Sequence, residues 1–362
     1  MSKRTNTTPK VLATSVLTLS MGLTAVFGQA HAQERDSFKV AWSIYVGWMP
    51  WGYGEAEGIV DDWAERYDIS IDVVQINDYI ESINLYTSGD YDAVTVTNMD
   101  ALTIPAAGNV DSTALIVGDF SNGNDGVVLK GNDELEAIEG RSVHLVELSV
   151  SHYLLARALE SVGMSERDVD VVNTSDADIV GAWSSDDVQA VTTWNPQLNE
   201  LRGRDNANVV FDSSDIPGEI MDLLVVKTDV LEANPDFGKA LVGAWYEIVA
   251  RMFGDDERAR EARAAMGEAA GTDREGYEAQ LETTRFFREP SEAVEFVESD
   301  QPAETMENVR QFAFEHGLLG ESAPSPDFVG IELADGSVLG SESNVNLRFT
   351  AEYMRMAAED EL

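Results

Sequence analysis

The sequence predicts an α/β protein of two lobes, each a mostly parallel sheet flanked by helices, with a ligand cleft between the lobes. Three observations carry that expectation. About 330 residues follow an export-like leader, too many for one ordinary core. Short apolar runs rich in β-branched residues alternate with segments of helical spacing. The alternation restarts after Ser121-Asn122-Gly123-Asn124-Asp125-Gly126, a polar, glycine-bearing stretch suited to a crossover between lobes.

Residues 1–32 read as a cleaved secretory signal. Lys3, Arg4 and Lys10 precede the apolar run Val11 to Phe27, and Ala30-His31-Ala32 offers a peptidase its small residues. Residues 33–122 form the first part of lobe 1. Phe38 to Ile44 is strand-like, and Gly52 to Tyr67 sets Ile59, Trp63 and Tyr67 at helical spacing. A strand over Ser70 to Ile76 and a helix over Tyr79 to Thr87 follow. The strand Tyr91 to Thr97 leads into a short helix opened by Asn98-Met99-Asp100, and Thr113 to Val117 is the next strand. Residues 123–222 form lobe 2, with strands over Val127 to Lys130, Ser142 to Val146, Asp170 to Val172 and Ala190 to Thr193. Helices at Leu135 to Ile138, His152 to Val162 and Asp176 to Trp183 separate them. Residues 223–362 return to lobe 1 through Leu223 to Lys227. Helices run from Asn234 to Gly317, and a hairpin turns at Asp335-Gly336 between Phe328 to Leu333 and Val338-Leu339.

Composition narrows the function. Cleavage after Ala32 leaves 21 basic and 66 acidic residues, a formal charge of −45, which repels nucleic acid and anionic lipid. With no Cys there is no disulfide, thiolate metal site or cysteine lipidation, so a free periplasmic protein rather than a cell-surface lipoprotein is expected, and it is expected to be a monomer. The acids are spread along the chain, a pattern suited to a saline exterior where salt screens self-repulsion. The thermal midpoint is accordingly expected to rise steeply from low to molar salt. A flat response in melting experiments would remove that reading.

Enzyme signatures are mostly missing. There is no Gly-x-Ser-x-Gly elbow, His-Glu-x-x-His or phosphate loop, and Gly52-x-Gly54-x-x-x-Gly58 is one residue too long for a dinucleotide fingerprint. Neither a cofactor nor a metal is expected, since His144, His152 and His316 lack partners at metal-pair spacing. His144 reads as structural, whereas His152 opens a helix near the expected cleft.

Aromatics and carboxylates instead gather at the expected strand ends. Trp42, Tyr45 and Trp48 crowd the first strand and its exit loop, and Trp194 follows the strand Ala190 to Thr193. Asp78, Asp100 and Glu147 each follow a strand, and Asp222 sits at the return crossover. Asn98 and Ser151 would orient a ligand. Asp78 and Asp100 could equally cap helices. These segments contain no Arg or Lys, so the pocket suits a small cation held by charge-assisted hydrogen bonds and ring faces.

The segment order resembles the nitrate/sulfonate/bicarbonate-type substrate-binding proteins of ABC importers. The carriers are Tyr91 to Asn98 leading to Asp100, Leu145 to Leu155, and Thr193-Trp194-Asn195-Pro196. A narrower likeness, at Trp48 to Tyr53, Thr97 to Pro105 and Val146 to Tyr153, is to the branch associated with urea carboxylase gene clusters. The resemblance implies a type II periplasmic binding fold, a membrane permease as partner, and a urea-like or guanidinium ligand. Guanidinium fits the acids better than neutral urea. Alkanesulfonate, taurine or nitrate remain the wider family's alternatives, and a thiamin-pyrimidine synthase-like enzyme would need Lys227 or His152 in the cleft.

Overall fold

The computed structural model describes Met1, residues 35–320 and residues 322–362. The expected signal segment, Met1 apart, and Glu321 lie outside the described residues. Among the described residues no helix is long and apolar enough to cross a membrane.

Fourteen strands are described: β1 (Ser37–Trp42), β2 (Ser70–Gln75), β3 (Ala93–Thr97), β4 (Ser112–Ser121), β5 (Asp125–Lys130), β6 (Ser142–Leu145), β7 (Asp170–Asn173), β8 (Ala190–Trp194), β9 (Ala207–Asp212), β10 (Met221–Lys227), β11 (Thr284–Phe286), β12 (Gly330–Glu332), β13 (Val338–Leu339) and β14 (Val345–Phe349). They form two sheets. The larger runs β13-β12-β14-β4-β10-β3-β1-β2, with β11 also pairing β4, and the smaller runs β7-β6-β8-β5-β9. The two-lobed α/β reading therefore stands.

Both sheets are mixed, a refinement of the mostly parallel expectation. β10 lies antiparallel between β3 and β4, and β5 lies antiparallel between β8 and β9. The cause is the crossover. The chain leaves the first sheet at the end of β4 and returns through β10, so each strand entering from the other lobe runs against its neighbours. The strand β9 escaped the sequence reading because Ala207–Asp212 is only partly buried and lacks a continuous apolar run.

The central strands read as apolar because both faces are covered. All five residues of β3 are buried, as are all of β10 except Lys227. The helix Pro235–Met252 buries twelve residues, with Trp245 stacked 5.4 Å from Trp51. At the tail, β12 and β13 pair antiparallel, and Gly336 takes the positive φ of 83° that the turn needs.

Candidate functional site

The loop leaving β1, the ends of β3 and β8, and the crossover ends of β5 and β10 meet at one cavity. Tyr45, Trp48, Tyr79 and Asp222 come from the first lobe, Asp125 and Trp194 from the second. The gap is closed to about 10 Å³, room for about one water.

Its aromatic wall is a chain of rings. Tyr45 and Trp48 lie 4.8 Å apart, Trp48 and Tyr79 5.5 Å, and Tyr79 meets Trp194 edge-on at 5.7 Å. The last contact spans the lobes. All four rings are at most 5% exposed, so their faces are kept from water.

Four buried carboxyl groups surround the rings. Asp119 and Asp222 are register partners on adjacent antiparallel strands, a placement that two like charges oppose. Burial raises both carboxyls and the Asp119 charge raises Asp222 further, so the pair keeps a shared proton that relieves the conflict. Tyr45 donates its hydroxyl to Asp222 Oδ2 at 2.8 Å. Gly47 makes this packing possible, because a β-carbon there would lie 2.8 Å from Asp119 Oδ2 and 2.6 Å from the Tyr45 ring. Asp125, across the crossover, accepts from Ser121 Oγ at 2.5 Å. Asp100 accepts from Tyr79 at 2.7 Å and Thr97 Oγ1 at 2.9 Å.

Burial controls their protonation. It pushes Asp100 up to about 6 against the opposing hydrogen bonds from Tyr79 and Thr97. Burial likewise lifts Asp119 and Asp125 to about 7. Asp222 rises well above the ordinary carboxylate range, through burial first and the Asp119 charge second. Among the described residues no Lys, Arg or His lines the cavity. Asp100 Oδ1, Asp119 Oδ1, Ser43 Oγ and Trp48 Nε1 are buried and find no hydrogen-bond partner among those residues.

The sequence-selected residues divide. Tyr45, Trp48, Trp194 and Asp222 line the cavity, and Asp100 stands behind Tyr79 and Thr97. Ser151 is buried with a free hydroxyl, its amide donating to the helix cap Ser149. Asn98 instead pins the return crossover, accepting from Met221 N at 3.0 Å and donating to Glu219 O at 3.2 Å. Trp42 packs its ring against Gly52 and does not reach the cavity.

Two expected acids are corrected. Asp78 is exposed and caps the helix Tyr79–Ser88 by accepting from Glu81 N at 2.8 Å, because a free helix amide and water satisfy it better than the core. Glu147 is also exposed. Leu148 adopts a φ of 64°, the chain turns outward there, and Val150 takes the cavity wall instead.

Asp119, Asp125 and Tyr79 were missed. The usable signal for Asp119 was an acid continuing an apolar run, Leu115-Ile-Val-Gly-Asp119, where a strand buried on both faces tolerates charge only for a purpose. The residues an enzyme would need lie elsewhere. Lys227 packs on Tyr86, five residues and roughly 17 Å along β10 from Asp222. His152 faces Glu166, and His144 bonds Thr174.

Comparison with known proteins agrees with this architecture. Over 129 residues the chain is 28% identical to the taurine-binding periplasmic protein of Escherichia coli (strain K12), a match covering 35% of this chain and only 40% of that protein. The periplasmic aliphatic sulphonate binding protein SsuA from Escherichia coli superposes with a TM-score of 0.66 at 16% identity, covering 79% of this chain and 94% of that one. The periplasmic nitrate-binding protein NrtA from Synechocystis PCC 6803 does so with a TM-score of 0.57 at 13% identity, covering 90% and 99%. The fold is thus that of type II periplasmic binding proteins. The family described as NMT1/THI5 like matches residues 61–259, more than half of the chain, and the chain belongs to that family.

Proposed function

We propose that this chain is the periplasmic substrate-binding component of an ABC importer, and that it captures a small planar organic cation of the guanidinium type. The observation that carries the reading is the set of buried carboxyl groups, Asp119, Asp125 and Asp222, around a ring-walled cavity without a basic residue. Sulfonate or nitrate would need donors or positive charge where these acids stand. Guanidinium brings several coplanar N–H donors and a delocalised charge that stacks on rings. A bare metal ion fits less well. Among the described residues, the cavity's carboxyl groups form no set of three ligand atoms within 4.8 Å of one another.

In this reading uptake is a closure step. A solute meets the Tyr45, Trp48 and Asp222 wall, the second lobe brings Trp194 and Asp125 over it, and the closed form is presented to a membrane permease. Neutral urea is the second reading, favoured by the unpartnered Trp48 Nε1 donor, which could meet a carbonyl oxygen.

Calorimetry on the purified chain against guanidine, methylguanidine, urea, taurine and nitrate tests this. Guanidinium is expected to bind with protons released to the buffer, because it displaces the proton shared by Asp119 and Asp222. Urea binding without proton release would establish the second reading. Tight binding of taurine or nitrate, with none of guanidinium, would overturn both.

A further inference from the structure

Outside the cavity, the structure gathers a second set of titratable side chains where the lobes touch. The helix Gln301–Glu315 docks on the first lobe, with Thr305 Oγ1 donating to Gly218 O at 3.1 Å and Met306 Sδ 3.6 Å from Asn98 Nδ2. Its capping residue, His316, reaches Glu166 of the second lobe. Glu166 also takes a hydrogen bond from His152, in the first turn of the helix Val150–Ser161. That helix begins with Val150, a wall of the ligand cavity. Phe312 supports both imidazoles, stacking 4.0 Å from His316 and standing edge-on to His152 at 6.0 Å.

Hydrogen bonding assigns the protons. His152 Nδ1 accepts from the Leu148 amide at 3.1 Å, so the ring's proton is on Nε2 and is donated to Glu166. This arrangement argues against a metal on His152, because ligation through Nε2 would require a hydrogen on Nδ1, pointing at another N–H. His316 differs. Its Nδ1 meets the Phe312 carbonyl at 2.8 Å while its Nε2 meets Glu166, so both ring nitrogens face acceptors and the imidazolium form satisfies both.

We propose that His316, Glu166 and His152 form a proton-operated clasp between the lobes, holding the cleft closed while His316 is protonated and loosening it when His316 becomes neutral. The neutral ring has one proton for two acceptors, so it loses its ionic attraction to Glu166 and turns a lone pair toward either the carboxylate or the Phe312 carbonyl. The other charged groups around His316 are Glu315 on its own helix and Arg157 and Glu160 across the groove. Arg157 is already engaged by Glu219 and Glu160, which leaves Glu166 as the partner that titration of His316 affects. The Glu166 bond, together with the Phe312 carbonyl and the Glu315 charge, raises His316 above the ordinary imidazole range despite burial, while the two histidines hold Glu166 down near 2. The clasp is therefore engaged from acid through neutral pH and lost as pH rises through the His316 titration. It does not depend on which solute the cavity holds.

The chain has no cysteine, so two introduced ones can be labelled uniquely. Asn77→Cys and Ala177→Cys place spin labels at exposed positions in the loops that follow β2 and β7. Distance distributions are then recorded on the full chain without solute, with chelator present, from about pH 5 to pH 9.5. The wild-type background is expected to show an opening step at alkaline pH, with the closed fraction falling about fivefold, the scale of one partly exposed ion pair. Both His316→Gln and Glu166→Gln should lack that step while keeping any change due to the cavity acids. An unchanged step in either variant, or none in the wild type, would overturn the clasp. So would calorimetric binding of zinc at micromolar concentration that is lost in His316→Gln, since a metal site would then occupy these side chains. Failure here leaves the guanidinium reading untouched, because no solute is used.

Discussion

Replacing Asp222 with asparagine is expected to weaken guanidinium binding by about a hundredfold or more, while raising the melting temperature of the ligand-free protein near neutral pH. The two effects share one cause. The asparagine amide can donate to Asp119 as the acid's shared proton does, and its carbonyl can still accept from Tyr45, so the fold keeps its hydrogen bonds. It loses a carboxyl whose burial among Asp119 and Asp125 is costly. A ligand cation instead loses a desolvated charge partner, a change of about 2–5 kcal/mol in buried pairs. Calorimetry and thermal melts on the same variant check both halves. Undiminished guanidinium affinity would remove Asp222 from the site.

Raising the pH from about 4.5 to about 7.5 is expected to lower the melting temperature of the ligand-free protein by roughly 10 °C, and guanidinium should reverse most of that loss. In the unfolded chain these carboxyls ionise near 3.9. In the folded chain Asp100 ionises at about 6 and Asp119 and Asp125 at about 7, while burial and the Asp119 charge lift Asp222 well above the ordinary carboxylate range. Between those limits the folded state binds more protons, so stability is fully present below the unfolded value and declines as pH rises through the folded ones. Ligand affinity runs the other way, because a cation must displace a proton at low pH and meets an ionised carboxylate above about 7. Its dissociation constant should fall up to tenfold per pH unit for each proton displaced. Melting curves and titrations across this range test the pair of slopes. A melting temperature that climbs with pH in the absence of ligand would mean the acids are not buried as described.

The fold was legible because its rules are local. Apolar runs at Tyr91 to Thr97 and Leu223 to Lys227 mark strands covered on both faces, and the restart after Ser121 coincides with the change from one sheet to the other. The site was legible only in kind. An acidic, aromatic gathering at strand ends could be read from residue order, and Tyr45, Trp48, Trp194 and Asp222 follow from it. Which acid turns inward could not. Asp78 and Asp100 both stand at helix starts, yet one is exposed and the other fully buried, because Tyr79 and Thr97 supply Asp100 with donors that the surface position lacks. The apolar run before it could flag Asp119, but its pairing with Asp222 became visible only with the strand register. Cross-strand register is a long-range fact that spacing along one chain does not carry.

That register has a mechanical side. β4 is the strand by which the chain departs the first lobe and β10 the one by which it comes home, so the paired acids are rooted in the two cables that suspend the second lobe. A captured cation that takes the place of their shared proton would act on both cables at once. Arrival of cargo and bending of the joint would then be a single electrostatic event, needing no relay through the rest of the protein.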